Sequence, residues 1–362
     1  MSTAAPSPAE RPESEPAVAS PVPVQPIPSA TPVVPPVPQM NRPIRDEAFF
    51  DPAVSHLPEL RESDLTLPPQ RRVLLPLMLF LATCASTFWV GTTHWDPLRV
   101  EYSANWNLVG KVVQENWRNG LEYMAAVLGI LLTHEMGHFL QTVRYGIPAS
   151  YPLCIPVPFN PIGTMGAVIG MDGLRADRKQ IFDIGLAGPL AGLVVAFPVL
   201  WYGIKQLDLS GSAAPGEIEF YLPMVAQWMM KWAHPHAPWV GERWVALSEL
   251  NPLFMAGWVG MLITGLNMLP ISQLDGGHTM YALFLDRAHS FARFFISFAI
   301  LYVVINLDEA VLWTPMLLLV IFLGIHHPRT ANDNMELGFV RRTIGLASLA
   351  IPVLCFPLLG VR

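Results

Sequence analysis

Apolar residues in this chain gather in long runs. Runs near 20 residues lie at about Val73–Val90, Leu121–Val143, Ile181–Ile204, Pro252–Leu269, Phe291–Ile305, Val311–Ile325 and Thr343–Leu359, the fifth and sixth being the shortest. A helix needs about 20 apolar residues to cross the hydrocarbon of a bilayer. The pattern therefore predicts an all-α fold, a multi-pass transmembrane helical bundle of about 6–7 spans. Between the second and third runs it changes. Pro156, Pro158, Pro161, Gly163, Gly166 and Gly170 discourage a helix there, while Ile155-Pro156-Val157 and Ala167-Val168-Ile169 have strand character. The fourth run ends at Asn267-Met268-Leu269-Pro270 and continues into Asp275-Gly276-Gly277-His278. A carboxylate after a proline and before a double glycine sits on backbone that has left regular helix. Such backbone is tolerated at membrane depth only where protein or a water-filled cavity satisfies it.

Composition supports a membrane body. The 362 residues are 52% hydrophobic and 14% charged, a balance of multi-spanning proteins rather than soluble domains. A net charge of −6, with no basic run, argues against nucleic-acid binding. Cys84, Cys154 and Cys355 are widely spaced, which gives neither a disulfide framework nor a thiolate zinc site. The first 40 residues hold 12 prolines and no basic segment followed by an apolar core, so they read as a tail rather than a signal peptide. The expected division is a disordered Pro-rich tail over residues 1–65 and a transmembrane domain over 66–362. Basic residues close to the span ends, Arg71, Arg72, Arg144, Arg175, Arg178, Lys179, Arg287, Arg329, Arg341 and Arg342, share one side if the tail is cytosolic. The opposite side holds Arg99, Lys111, Arg118, Lys205, Lys231 and Arg243, diluted by acids. This bias places the N-terminus in the cytosol, and the expected location is a cell membrane of bacterial inner-membrane type.

Chemistry enters at His134-Glu135-Met136-Gly137-His138, inside the second run. On a helix, positions i and i+4 share a face, so both imidazoles can reach one Zn²⁺, with Glu135 beside them as a candidate general base. Ionisable groups at membrane depth are costly and therefore point to function. A hydrolytic metal site needs a third protein ligand and an open position. Asp172, Asp177 and Asp183 are within a few dozen residues, but Asp275, on its irregular backbone, is the better candidate.

His134-Glu135-Met136-Gly137-His138 together with Asn267-Met268-Leu269-Pro270-Ile271-Ser272-Gln273-Leu274-Asp275-Gly276-Gly277 resembles the site-2 protease family of intramembrane zinc metalloproteases, peptidase family M50. The segments 159–173, 182–192 and 256–278 are similar to the bacterial and plastid branch that lacks a PDZ insert. The resemblance covers about residues 121–327, with Ser272 standing where that branch has glycine. It implies that His134, His138 and Asp275 bind one Zn²⁺ per chain, that Glu135 activates water, and that Asn267 holds the scissile peptide or its oxyanion. It further implies a three-helix catalytic core within about 121–280, a short membrane-associated β-hairpin that pairs with unwound substrate, and transmembrane-protein substrates in the lipid bilayer. Regulated intramembrane proteolysis is the process the resemblance suggests.

Blander readings apply elsewhere. His278 reads as a polar group at a helix start rather than a partner of Asp275, and His326-His327 before Pro328 as a helix end. His234 and His236 read as solvated, and Asp183 as a carboxylate favoured by a helix dipole. Gly185, Gly188 and Gly192 make a small-residue packing face. Trp228, Trp232, Trp239 and Trp244 resemble an interfacial belt on a loop. The rival functions are a divalent-metal transporter, which leaves Glu135 without a role, and a non-catalytic membrane adaptor with a retained metal site.

Overall fold

The structure is a computed structural model that describes residues 73–99, 102, 105–207, 218–235, 243–271, 274–310, 313–324 and 327–360. These belong to one unit, Pro68–Arg362. The expected tail over 1–65, and His236, Trp239, Ser272 and His326, lie outside the described residues.

The first apolar run forms helix α1, Leu74–Thr92. Helix α2, Trp106–Arg144, begins 15 residues before the run that predicted it. The Asn105 side chain accepts the first free amides, from Asn107 and Leu108, and the polar first third contains no proline to stop the helix. At 39 residues α2 is about 58 Å long, nearly twice the hydrocarbon thickness. Its N-terminal third is rich in polar residues, and Trp106 at its start is 84% exposed.

Between α2 and the next helix the strand-like segments pair as an antiparallel hairpin, β1 (Leu153–Val157) with β2 (Gly163–Val168). Its turn is closed by Asn160, whose Oδ1 accepts from the amides of Ile162 and Gly163. The hairpin is pinned to α1 by Ser86 Oγ donating to Gly163 O at 2.6 Å, and to α2 by the buried Tyr123 hydroxyl donating to Ile162 O at 2.8 Å.

Helix α3, Arg178–Lys205, starts from an Asp177–Gln180 capping box and carries Pro189 and Pro198 in its interior, which neighbouring helices make tolerable. The expected Trp-bearing loop is instead folded. Strands β3 (Glu219–Tyr221) and β4 (Trp244–Ala246) pair antiparallel around helix α4, Met224–Ala233. The fold is mostly helical, as expected, and this second small sheet is added to the expected hairpin. The strands pair through three residues each, the outward amide of Tyr221 donates to Gly360 O, and Trp258 Nε1–H donates to Tyr221 O at 2.9 Å. His234, expected to be solvated, has Nε2 2.9 Å from Ile204 O.

Helix α5, Pro252–Asn267, is the central element: 11 of its 16 residues are buried, as a helix apolar all round requires. It packs on α2 through Gly260 against Ile130, and on α3 through Gly257 against Leu200 and Phe254 against Gly203. After the break, α6 (Asp275–Phe284) folds back so closely that a Cβ on Gly276 would lie 2.1 Å from Met268 O. Helices α7 (Ala288–Ile305), α8 (Leu307–Ala310), α9 (Thr314–Leu323), α10 (Gly338–Ser348) and α11 (Ile351–Cys355) complete the chain. Among the described residues, four helical stretches are long and apolar enough to cross a membrane: Leu74–Thr92, Arg178–Lys205, Asp275–Ile305 and Gly338–Cys355. Among its described residues the sixth run yields the 10-residue α9, and the seventh is divided at Leu349–Ala350, just before Pro352.

Candidate metal centre

Helix α2 brings His134 and His138 to the face that meets α3, and the N-terminal residue of α6 brings Asp275. Nε2 of His134 and Nε2 of His138 are 3.2 Å apart, and Asp275 Oδ2 lies 3.2 Å from the first and 3.3 Å from the second. A tetrahedral Zn²⁺ with ligands at about 2.0–2.1 Å would hold its donor atoms about 3.3–3.4 Å apart, so the three atoms already outline one face of such a site. Two imidazoles and a carboxylate also suit this ion by donor type. His138 Nδ1–H donates to Ile184 O at 2.7 Å, which fixes the tautomer and leaves the Nε2 lone pair pointing at the other two donors. Three electron-rich atoms converging this closely at a largely buried position call for a cation between them. His134 Nδ1 is buried and has no hydrogen-bond partner among the described residues.

Space for the imidazoles comes from α3. A Cβ on Gly188 would lie 2.0 Å from His138 Nε2, and one on Gly192 would lie 3.1 Å from His134 Nδ1. The small-residue face read from sequence as helix packing thus also makes room for the ring nitrogens. Its alignment with the two histidines depends on how α2 and α3 cross, which spacing along one helix does not carry.

Glu135 is 5% exposed and lines a cavity of about 180 Å³ together with His138, Asp275, Asn267 and His278. Ala167, Val168 and Ile169, at the end of β2, form another wall of that cavity. Asn267 is the last residue of α5, and its Nδ2 is 3.2 Å from His134 Nε2. All five residues singled out from the sequence, His134, Glu135, His138, Asn267 and Asp275, therefore meet in one place. The competing aspartates do not. Asp172 pairs with Arg175 at 2.7 Å, and Asp177 caps α3. Asp183 receives two hydrogen bonds of 2.8 Å from Arg341 and one from the Tyr145 hydroxyl, so its role is to tie α3 to α10 and the end of α2 rather than simply to sit on a dipole.

The sequence compared with family models matches the one described as peptidase family M50 over residues 122–305, half of the chain. This chain belongs to peptidase family M50. Relatives of this M50 protein include the "Probable zinc metalloprotease EGY1, chloroplastic" of Oryza sativa subsp. japonica, 30% identical over 228 residues, 58% of this chain and 38% of the relative. The protein of the same name from Arabidopsis thaliana is 30% identical over 228 residues, covering 58% of this chain and 40% of the relative. "Probable zinc metalloprotease EGY2, chloroplastic" of Arabidopsis thaliana is 31% identical over 161 residues, covering 44% and 27%. The M50 chain thus spans well under half the length of these relatives in the matched region.

Proposed function

We infer that this M50 member is an intramembrane zinc endopeptidase that hydrolyses a peptide bond in or beside the transmembrane segment of a membrane-protein substrate. The observation that carries the reading is the convergence of three donor atoms at 3.2–3.3 Å on a cavity that also holds Glu135 and Asn267. His134, His138 and Asp275 are the residues that would hold one Zn²⁺. When bound, the ion supplies Lewis-acid polarisation of the scissile carbonyl and of the attacking water. Glu135 takes the proton released by that water and delivers it to the leaving amine nitrogen. Asn267 donates from its amide to the carbonyl oxygen as negative charge develops there. Ile184 O orients His138 through Nδ1, and the end of β2 offers strand-type hydrogen bonds to an unwound substrate, so binding tolerates many sequences.

In this reading α2, α3 and α5 are the catalytic core, and the remaining helices complete a bundle of about 6–7 spans, with residues 66–362 as one membrane domain. The 1–65 tail is a tether on the cytosolic side, and the site lies nearer that side. Regulated proteolysis of a membrane-tethered protein is the process proposed. The test co-expresses the wild type and Glu135→Gln with tagged single-span substrates and measures cleavage and bound zinc together. Cleavage confined to the wild type, with zinc retained in both, is the expected result. Zinc missing from both removes the metal site, and equal cleavage by both removes Glu135 as the base.

A further inference from the structure

The polar groups that the proposed reaction leaves unused gather around a pair of imidazoles. His278 lies one helical turn after Asp275 on α6 and lines the same cavity as Glu135 and Asn267. Its Nδ1 is 2.7 Å from Nε2 of His327, 49 positions further along the chain. His327 Nδ1 is in turn 2.5 Å from the carbonyl oxygen of Pro328. A carbonyl only accepts, so His327 Nδ1 carries a hydrogen, and in the neutral ring its Nε2 carries the lone pair. His278 Nδ1–H must then donate to His327, which leaves the lone pair of a neutral His278 on its own Nε2. Burial pushes the His327 imidazole below its ordinary value, against the upward pull of Pro328 O, in keeping with a neutral ring. Among the described residues nothing bonds Nε2 of His278, and the residue keeps some surface on the cavity.

The second imidazole is itself clamped. It stacks on Tyr281 with ring centroids 4.3 Å apart and 12° between the planes, and its backbone N–H donates to His289 Nε2 at 3.2 Å. The loop that follows is fastened to α6 by the Tyr281 hydroxyl donating to Asp333 Oδ2 at 2.9 Å, and to the approach to α3 by Ala331 N–H donating to Ala176 O at 2.9 Å. His327 is therefore held in place from both sides, and the His278 tautomer is fixed with it.

We propose that His278 is a substrate-positioning residue: its Nε2 accepts a hydrogen bond from a backbone N–H of the extended peptide lying in the cavity beside β2, and His327 holds the tautomer this requires. The inference rests on the protease reading, from which it takes the peptide. An unwound segment exposes an N–H at each non-proline residue, and one left unpaired in a largely apolar site is costly. The carboxylates of Glu135 and Asp275 are committed to water and metal in that reading and Asn267 to the carbonyl oxygen; Thr142 is buried with its hydroxyl donating to Phe139 O at 2.8 Å, and Ala167, Val168 and Ile169 bring no side-chain acceptor. His278 supplies an uncommitted neutral one.

The test uses the full chain, zinc-loaded, in the inactive Glu135→Gln background, so that binding is read without cleavage. A synthetic single-span peptide is compared with a series of backbone esters, each lacking one N–H. At one position the ester is expected to bind about 3- to 10-fold more weakly, the worth of one neutral hydrogen bond. Adding His278→Ala should abolish that difference at the same position, His278→Gln should restore part of it, and His327→Phe should lose it with zinc content unchanged. An ester penalty that persists at that position in His278→Ala overturns the proposal, as does the absence of a penalty at any position in the parent protein. So does loss of zinc from both His278→Ala and His278→Gln, which would make the residue a support for Asp275, and so does a failure of every peptide to bind. Cleavage by the wild type against Glu135→Gln is measured separately. If neither cleaves, the protease reading falls, while the ester series still decides the hydrogen bond.

Discussion

At the scale of single residues, Gly188 shows how little tolerance the metal centre has. It lies inside α3, where glycine is a poor helix former, yet any larger residue would place Cβ 2.0 Å from His138 Nε2. Gly188→Ala should therefore lower zinc affinity about 10- to 100-fold while helix content is kept, as measured by chelator competition and circular dichroism. Unchanged affinity would show that His138 can move without leaving the metal. The histidine pair was legible in the sequence because i, i+4 spacing on a helix fixes a shared face without any knowledge of the fold. Asp275 was legible through the proline and double glycine that bracket it. Their convergence to 3.2–3.3 Å is a property of three dimensions. The pairs His278–His327 and Asp183–Arg341 were illegible for a related reason. They are separated by 49 and 158 positions, and no local pattern links them.

At the scale of elements, the loop from His327 to Asn334 is secured by side chains rather than by regular structure. Asp333 accepts from the Thr330 hydroxyl at 2.7 Å as well as from Tyr281. Burial acts to raise its carboxyl, but these hydrogen bonds and the nearby Arg329 outweigh it and hold the group below its usual range. A carboxyl lowered in the folded state stabilises the loop above its unfolded value, about 3.9, and loses that contribution as pH falls through the lower folded value. Protection of residues 327–334 against hydrogen exchange, relative to the intrinsic rate at each pH, should therefore hold from neutral pH down to about pH 4 and fall only below it. Asp333→Asn should exchange fast already at pH 7, and equal protection in both proteins would remove this carboxylate from the account. The hairpin was only half legible. Its prolines and glycines excluded a helix and its apolar triplets hinted at strands, but the anchoring by Ser86 and Tyr123 comes from distant helices. The β3–β4 sheet has strands of three residues each, too short for an alternation to stand out.

At the scale of the whole molecule, α3 acts as a measuring rod about 42 Å long. Its N-terminal end holds the 327–334 loop, through Arg178 N–H to Asn332 O and Ala331 N–H to Ala176 O. Its C-terminal end holds the β3–β4 segment, through His234 Nε2 at 2.9 Å from Ile204 O, and the start of α5, through Asn251 Nδ2 donating to Gly203 O. Exposed cysteines introduced as Lys231→Cys and Ala331→Cys should therefore react with impermeant reagents from opposite faces of the membrane, and labelling of both from one face would overturn the orientation read from the basic residues. The span count was legible only in outline, because apolar runs report composition but not where a helix breaks, as at Leu349–Ala350. One such break reaches beyond the protein. Helix α5 stops after 16 residues, about 24 Å, which is less than the hydrocarbon thickness of a bilayer, about 30 Å. Eleven of its residues are buried, so protein meets the shortfall at the centre and any thinning of the lipid falls on the helices around it. The bilayer itself then becomes a setting of the enzyme: reconstituted into lipids of increasing acyl length, the protein should turn over more slowly as the membrane thickens, with its bound zinc unchanged.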